Sequence, residues 1–410
     1  MAIEPFKINV PDEFLDLTTQ KFNLTRFVEP EIVQPEGKEW DDGTPSKVVE
    51  ELVDYWNSGK FNWRYWEAQI NEKLPQYTTP IDVDGFGTLK IHFVWIRSPR
   101  ADAVPLILCH GWPGSFYELS KVLMPLSNPE DSSLQAFHCV VPSIPGYGFS
   151  EGPKKPGFKL SCVAETYDKL MKRLGYKHYV AHGADWGHGI IRALSLLPNP
   201  SVLAIHSTWS IIGPPSLLKQ PFQWAYMMLG FITGGAVGLS KQYCDRLMAA
   251  QKFSKSETGY LQIQSTRPLT LAWAMTDSPV GLLAWMTEKL KGWTDEYPWT
   301  PDEIFIWWMM YWYKGPYSSF RLYKEGLYEM SFQQNYSSIP MGISCFPKEL
   351  VIIPPWWMGR LHPIRSIKEH QKGGHFAAWE NPDAIVGDLR EYFTTIVAER
   401  EELRAPRLNE

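Results

Sequence analysis

Cysteine is scarce in this sequence, and positive charge is not in excess. The chain has five Cys among 410 residues, and none of them form a C-x-x-C pair. Because the number is odd and no metal-binding spacing occurs, the sequence predicts neither a disulfide framework nor a zinc cluster, and it favours a reducing compartment. The formal net charge is -5, so the basic face that draws proteins onto nucleic acid is not expected. A small, uncharged or weakly charged molecule is the expected partner.

Long uninterrupted apolar runs are missing too. Residues 1–10 include Glu4 and Lys7 and lack the apolar core of a secretory signal, so the sequence predicts a cytoplasmic location. Residues 222–239 come nearest to a membrane span, but they contain Gln223 and four glycines. A buried helix is predicted there in preference to membrane contact, and no transmembrane span is expected.

Apolar and aromatic residues are plentiful. Hydrophobic residues make up 44% of the chain, which supplies a large core, and the 19 Trp are an unusually high number. Core filling explains most of these rings, although broad rigid rings also suit an apolar ligand cavity.

Short apolar runs alternate with helical patterns in the first half of the chain. The runs typical of buried strands are residues 89–96, 105–109, 137–142, 179–182 and 203–207, and helical patterns cover 162–174 and 187–197. This alternation predicts an α/β fold with a mostly parallel central sheet covered on both faces. After residue 213 a Met-, Trp- and Leu-rich helical tract replaces it.

The pattern divides the chain into four predicted parts. An N-terminal accessory segment covers residues 1–85 and contains a helix over 46–60 with Ser46 as its N-cap. The first part of the α/β core covers 86–212, an inserted helical lid 213–340, and the second part of the core 341–410. In that last part, a strand is predicted over 348–353 and a helix over 382–399.

The motif H-G-A-D-W-G at residues 182–187 lies between a predicted strand and a predicted helix. Its small residues allow a sharp turn that lifts the side chain of Asp185 out of the sheet, as in a nucleophile elbow with Asp where esterases have Ser. A carboxylate needs no base to activate it and can form an ester with an sp³ carbon. A plain strand-to-helix turn with Asp185 as the helix cap is the alternative.

A second glycine-containing loop, L-C-H-G-W-P-G at residues 108–114, follows an apolar strand. Alone it could be a β turn, but upstream of an elbow it favours an oxyanion hole. Such a hole needs one backbone N–H from this loop and one from the residue after the nucleophile, here Trp112 and Trp186. The neighbouring His110, Gly111 and Pro113 are expected to bind the substrate.

The base is predicted from K-G-G-H-F at residues 372–376, between the last predicted strand and the last helix. The order of Asp185, an acid and then His375 is the order of nucleophile, acid and base in this type of fold. Nine other histidines compete for the role. Among those in the motifs, His182 and His188 are expected to be structural.

Together these motifs resemble the epoxide hydrolases related to the microsomal enzyme, including its soluble fungal members, which have the α/β-hydrolase fold. The resemblance extends over most of the chain, from residues 5–30 and the Trp-rich stretch 55–66 to the lid and G-G-H-F. It implies an ether-bond hydrolase that converts a small apolar epoxide and water into a vicinal diol, in detoxification or secondary metabolism. No metal or organic cofactor is implied.

The resemblance also implies further site residues. In residues 259–268 and 319–325 it nominates Tyr260 and Tyr323 as lid tyrosines that hold the epoxide oxygen. In residues 346–350 it nominates Glu349 as the acid that orients the histidine. Glu369 is expected instead on a surface helix, as a salt-bridge residue. His188 departs from the family pattern, in which a small residue is usual, and this puts the packing of the elbow helix in question.

Two other functions remain open at this stage. A haloalkane dehalogenase would share the Asp nucleophile and the ester chemistry, but its halide would call for indole or amide N–H donors in place of a tyrosine pair. An inactive scaffold that carries an apolar ligand is the second alternative. A homodimer is possible for any of them.

Overall fold

A nine-stranded sheet forms the centre of the computed structural model, which describes residues 2–29, 31–332 and 334–403. The strand order is β1-β2-β3-β5-β4-β6-β7-β8-β9. The strands are β1 Glu4–Phe6, β2 Gln76–Val83, β3 Gly87–Ile96, β4 Val104–Cys109, β5 Phe137–Pro142, β6 Tyr179–Gly183, β7 Val202–Ser207, β8 Met341–Cys345 and β9 Ile364–Glu369.

The sheet is parallel from β5 to β9 and antiparallel from β1 through β3 to β5. Every residue of β4, β5 and β6 is buried, which explains why these strands are continuous apolar runs without alternation. Because the carboxyl ends of parallel strands meet at one edge, the loops after β4, β6 and β8 come together there. Sites in α/β proteins form at this edge.

Helices cover the sheet, and a group of them is inserted between β7 and β8. Outside the insertion the helices are α1 Asp12–Asn23, α2 Ser46–Asn57, α3 Trp63–Lys73, α4 Ser120–Ser127, α5 Leu160–Arg173, α6 Trp186–Ser195, α14 Ala377–Glu380 and α15 Pro382–Glu399. The inserted helices, called the lid below, are α7 Pro221–Ile232, α8 Lys241–Ser256, α9 Gly259–Thr266, α10 Pro268–Asp277, α11 Pro279–Gly292, α12 Pro301–Trp312 and α13 Tyr317–Phe332.

The α/β class and the five predicted strands of the first core part are confirmed, and α15 has the predicted bounds. The N-terminal segment contributes β1 and β2 to the same sheet. One cap was predicted wrongly, because Pro45 and not Ser46 is the N-cap of α2. The φ of Pro45 is -59°, within the range that the proline ring imposes, and suits the position before the first helical residue.

Two predictions near the C-terminus are wrong. Residues 348–353 form no strand apart from a single bridge between Lys348 and Gly374; the strand here is β8, whose M-G-I-S-C sequence has weak strand propensity at Gly342. Gly342 is nonetheless required, since a Cβ there would lie 2.7 Å from the ring of Tyr392. Glu369 lies at the end of strand β9, not on a surface helix.

The predicted burial of the glycine-rich lid segment is also wrong. Only Gly230 is buried in α7, whereas Phe222 and Ile232 are 89% and 75% exposed. Among the described residues, no helix combines the length and the apolar character needed to cross a bilayer.

Candidate active site

Asp185 lies at a sharp turn between β6 and α6. Its φ of 50° and ψ of -124° are strained values for a residue with a side chain. Two glycines make the turn possible: a Cβ at Gly187 would lie 2.0 Å from the carbonyl oxygen of Cys109, and one at Gly183 would lie 2.4 Å from that of Gly187. The Asp185 side chain makes no capping hydrogen bond to α6. A simple helix cap therefore does not explain this residue.

The loop after β4 holds the carboxylate of Asp185. The backbone N–H of Trp112 donates to Oδ1 of Asp185 at 2.8 Å. A Cβ on Gly111 would lie 2.3 Å from the same oxygen, so only glycine lets the loop approach this closely. The motifs at residues 108–114 and 182–187 thus meet through a direct contact.

His375 and Glu349 complete a line of three side chains. Nε2 of His375 lies 3.5 Å from Oδ2 of Asp185, and Nδ1 of His375 lies 2.6 Å from Oε1 of Glu349. His375 and Glu349 are buried. Burial by itself would lower the pKa of His375, but the negative charges of Glu349 and Asp185 outweigh it and raise that pKa well above its ordinary value.

Glu380, which the sequence did not single out, supports the histidine loop. Its carboxylate accepts hydrogen bonds from the backbone N–H groups of Gly374, Phe376 and Asp295, at 3.2, 3.1 and 2.7 Å. Burial outweighs these bonds and raises the pKa of Glu380 to about 7. Two of the three donors flank His375, so Glu380 fixes the backbone on both sides of the proposed base.

Glu118 is a second acid that sequence reasoning missed. It lies beneath the loop after β4, since a Cβ on Gly114 would overlap its Oε2 at 1.8 Å. Burial raises the pKa of Glu118 to about 8. Neither Glu118 nor Glu380 belongs to a motif centred on a nucleophile or base. Only their positions, four to five residues after a motif glycine or histidine, could have indicated them.

Tyr260 on α9 and Tyr323 on α13 line one cavity together with Asp185. The cavity has a volume of about 230 Å³ and is lined by Asp185, Trp186, Trp209, Ile211, Phe253, Ser254, Thr258, Tyr260, Leu261, Tyr323, Leu327, Leu350 and Val351. The ring of Tyr260 stacks on Trp112 with centroids 5.4 Å apart, and Tyr323 meets Trp186 edge-on at 4.8 Å. Burial raises the pKa of both phenols, so both remain neutral O–H donors at pH 7.

His110, Gly111 and Pro113 are not among the residues that line this cavity. Nδ1 of His110 hydrogen-bonds the carbonyl oxygen of Gly111 at 3.0 Å, and Nε2 accepts from the N–H of Ile144 at 3.2 Å. Burial lowers the pKa of His110 to about 4, so it is neutral. These three residues therefore lie in the loop and not at the cavity wall as the structure describes it, and their contact with substrate stays a prediction.

The other two motif histidines lie where the sequence predicted, His182 at the end of β6 and His188 in α6. His182 contacts His206 through their Nδ1 atoms at 3.1 Å, and His188 contacts Oγ of Ser207 at 3.0 Å. Burial lowers the pKa of His182 to about 4 and that of His188 to about 3. The bulky His188 is therefore accommodated in α6 by a polar partner on β7.

The fold, with its inserted lid and strand-to-helix elbow, is that of the α/β-hydrolases. Two family models match: "Epoxide hydrolase N terminus" over residues 3–119 and "alpha/beta hydrolase fold" over residues 104–232. Epoxide hydrolase 1 of Sus scrofa is 32% identical, with 95% of this chain and 88% of that protein covered. Juvenile hormone epoxide hydrolase 1 of Ctenocephalides felis is 31% identical, with 95% and 85% covered.

A solved structure of Aspergillus niger epoxide hydrolase is 31% identical and superposes with a TM-score of 0.83, covering 97% of both chains. The chain therefore belongs to the epoxide hydrolase family and is a hydrolytic enzyme of the α/β-hydrolase fold.

Proposed function

We propose that this enzyme opens a small apolar epoxide through an ester on Asp185 and then hydrolyses that ester to a vicinal diol. The observation that carries the proposal is the convergence of Asp185, Tyr260 and Tyr323 on one cavity, with His375 3.5 Å behind the nucleophile. Apart from Asp185, few polar groups line the cavity, which suits an apolar substrate.

In the first step, Oδ2 of Asp185 attacks an epoxide carbon. Oδ1 is held by the N–H of Trp112 at 2.8 Å, which leaves Oδ2 as the freer nucleophile. The new bond joins Oδ2 to carbon as the epoxide C–O bond breaks. Tyr260 and Tyr323 donate hydrogen bonds to the alkoxide oxygen, and one of them supplies its proton.

In the second step, His375 takes a proton from water, and the resulting hydroxide attacks the carbonyl carbon of the ester. Ester formation neutralises Asp185 and so removes one of the charges that raise the pKa of His375. The imidazole therefore becomes neutral more readily when a base is needed. Oδ1 carries the developing negative charge and is stabilised by the N–H of Trp112, with Trp186 as the second donor.

The ester then breaks between the carbonyl carbon and Oδ2, so the diol leaves with an oxygen atom that belonged to Asp185. The oxygen from water stays in the renewed carboxylate. Its remaining proton passes to the departing oxygen of the diol, and the proton held by His375 returns to the tyrosine that gave up its own in the first step. The paired phenols distinguish this chemistry from halide release by a dehalogenase. An inactive carrier would have no need for the contacts of His375 with Asp185 and Glu349.

A single turnover in heavy-oxygen water tests this bond order. With enzyme in excess over styrene oxide, we expect diol whose new oxygen is unlabelled and a peptide containing Asp185 that has gained one heavy oxygen. Repeated turnover should then yield labelled diol, which serves as the internal control. Complete labelling of the diol in the first turnover would mean direct attack by water and would rule out the ester.

Glu349→Gln should slow ester hydrolysis at least ~10-fold, because an amide cannot balance the charge that His375 acquires. Glu369→Gln is the matched control: its carboxylate accepts from the hydroxyl of Tyr243 at 2.7 Å, outside the triad. We expect a change of less than about 2-fold there. Stopped-flow decay of the ester measures both. A larger loss in Glu369→Gln than in Glu349→Gln would move the role of acid to Glu369.

A further inference from the structure

An apolar surface on the outside of the lid has no explanation in the reaction. We call it the outer lid face and define it by Leu218, Phe222, Tyr226, Leu229 and Ile232, which lie on α7 and just before it. Leu218, Phe222 and Ile232 are 95%, 89% and 75% exposed. Single exposed apolar residues are ordinary, but a contiguous group marks a contact surface.

Helix α7 exposes apolar side chains to solvent, whereas an ordinary surface helix turns them toward the core. Phe222, Tyr226 and Leu229 follow the spacing of one helix face and are exposed together. No Asp, Glu, Lys or Arg occurs between residues 220 and 240. In a helix that packs on a core, such a stripe would point inward.

Packing of α7 against α8 leaves the outer lid face exposed to solvent. Leu239, Tyr243 and Cys244 form a small buried cluster separate from the main core. Gly230 makes the approach possible, because a Cβ there would lie 2.4 Å from the carbonyl oxygen of Leu239. The exposed stripe is therefore part of a packed helical hairpin.

Positive charge is in excess on the hairpin that carries this apolar face, where Lys241 pairs with Asp245. Lys219, Lys241, Lys252 and Lys255 are all exposed on the hairpin or immediately before it, where Asp245 is the single acid between residues 213 and 256. The whole chain is acidic, at -5. The segment that bears the exposed apolar residues is thus cationic within an acidic chain.

We propose that the outer lid face docks on the surface of an anionic lipid bilayer, with α7 lying in the interface. Apolar side chains enter the boundary of such a bilayer while lysines contact its acidic headgroups. The 12 residues of α7 span about 18 Å, too short to cross a hydrocarbon core of about 30 Å. A two-fold contact between copies would instead place one cationic surface against the same cationic surface of the other copy.

Docking would bring the cavity close to the lipid. Phe253 and Ser254, at the end of α8, line the cavity together with Tyr260. An apolar molecule dissolved in the bilayer could then enter by a short path. This last consequence rests on the proposed function, whereas the docking does not.

Co-sedimentation with vesicles tests the docking. We expect the full chain to bind vesicles that contain phosphatidylserine and to bind pure phosphatidylcholine vesicles much more weakly. Leu218→Ser/Phe222→Ser should lower the partition coefficient about 100-fold, since each side chain loses its burial in the interface. Lys219→Glu should lower it about 10-fold, and high salt should weaken binding of the unchanged protein.

Matched controls place the same changes elsewhere. Leu24→Ser/Val28→Ser removes two side chains that are 82% and 71% exposed in the N-terminal segment, and Lys47→Glu reverses a charge whose side chain is 85% exposed. These variants should bind vesicles as the unchanged protein does. All variants should keep the turnover of a water-soluble epoxide, which verifies folding whether or not the ester mechanism holds.

Two results would overturn the proposal. One is equal binding of the serine variant and its control to phosphatidylserine vesicles. The other is no binding of the unchanged protein to phosphatidylserine vesicles. If sedimentation velocity then showed a dimer that Leu218→Ser/Phe222→Ser converts to monomer, the outer lid face would be assigned to self-association.

Discussion

Replacing His375 with Gln is expected to stop the enzyme after its first half-reaction and leave it covalently loaded. The attack by Asp185 needs no base, so the ester should form at close to the normal rate. Its hydrolysis should slow by about 10²- to 10⁴-fold, because the amide of a glutamine at position 375 cannot take the proton from water. Mass spectrometry after mixing with styrene oxide should find protein heavier by one epoxide.

The position of the adduct makes this experiment specific. Peptide mapping should find the added mass on Asp185, and the double variant Asp185→Ala/His375→Gln should take up none. Rapid continued turnover by His375→Gln would exclude this residue as the base. An adduct on another carboxylate, such as Glu118 beneath the loop after β4, would exclude Asp185 as the nucleophile.

The residues predicted best from sequence are those whose neighbours are constrained by the backbone. Asp185 lies between Gly183 and Gly187, and a Cβ at either glycine would collide with the backbone at 2.4 or 2.0 Å. Because only glycine fits at these two positions, the glycines stand at a fixed spacing around residue 185, and this spacing is visible in a single sequence. The strand and helix around the elbow were predicted for the same reason.

Long-range support was not predictable in this way. Glu380 accepts from three backbone N–H groups, two of which flank His375, but an acid near the start of a helix is common and carries no distinctive spacing. The raised pKa of Glu380 and its three hydrogen bonds depend on burial against the packed loop, which the sequence does not reveal. The same applies to Glu118, whose contact with Gly114 depends on the turn between them.

Periodicity also could not decide which side of a helix faces the core. The apolar run in α7 predicted burial, yet its stripe is exposed because α8 packs on the opposite side. His110 was expected to contact substrate because it lies in the motif, but both ring nitrogens are engaged by the backbone. A homodimer and a cytoplasmic location stay predictions.

In the proposed mechanism, the lid tyrosines determine whether the ester chemistry serves an epoxide. Removing one hydroxyl, in Tyr260→Phe or Tyr323→Phe, should slow ester formation by ~10- to 1000-fold, the range expected for one oxyanion donor or general acid. The remaining phenol still supports the alkoxide. The double variant Tyr260→Phe/Tyr323→Phe should nearly abolish alkylation, because no neutral O–H donor of the pair is left.

The effect should be confined to the first half-reaction. Hydrolysis of an ester already formed depends on His375 and the backbone N–H groups, so its rate should change by less than about 3-fold in the single variants. Pre-steady-state fluorescence times the two steps separately, with Trp112 and Trp186 as reporters because they contact Tyr260 and Tyr323.

Tyr243→Phe supplies the matched control, because Tyr243 is another buried lid tyrosine but its hydroxyl donates to Glu369 at 2.7 Å and does not line the cavity. Its alkylation rate should stay near that of the unchanged enzyme. If the double Phe variant alkylated as fast as this control, the phenols would have no part in opening the ring. A leaving group that needs no proton, such as a halide, would then explain the Asp185 ester better than an epoxide does.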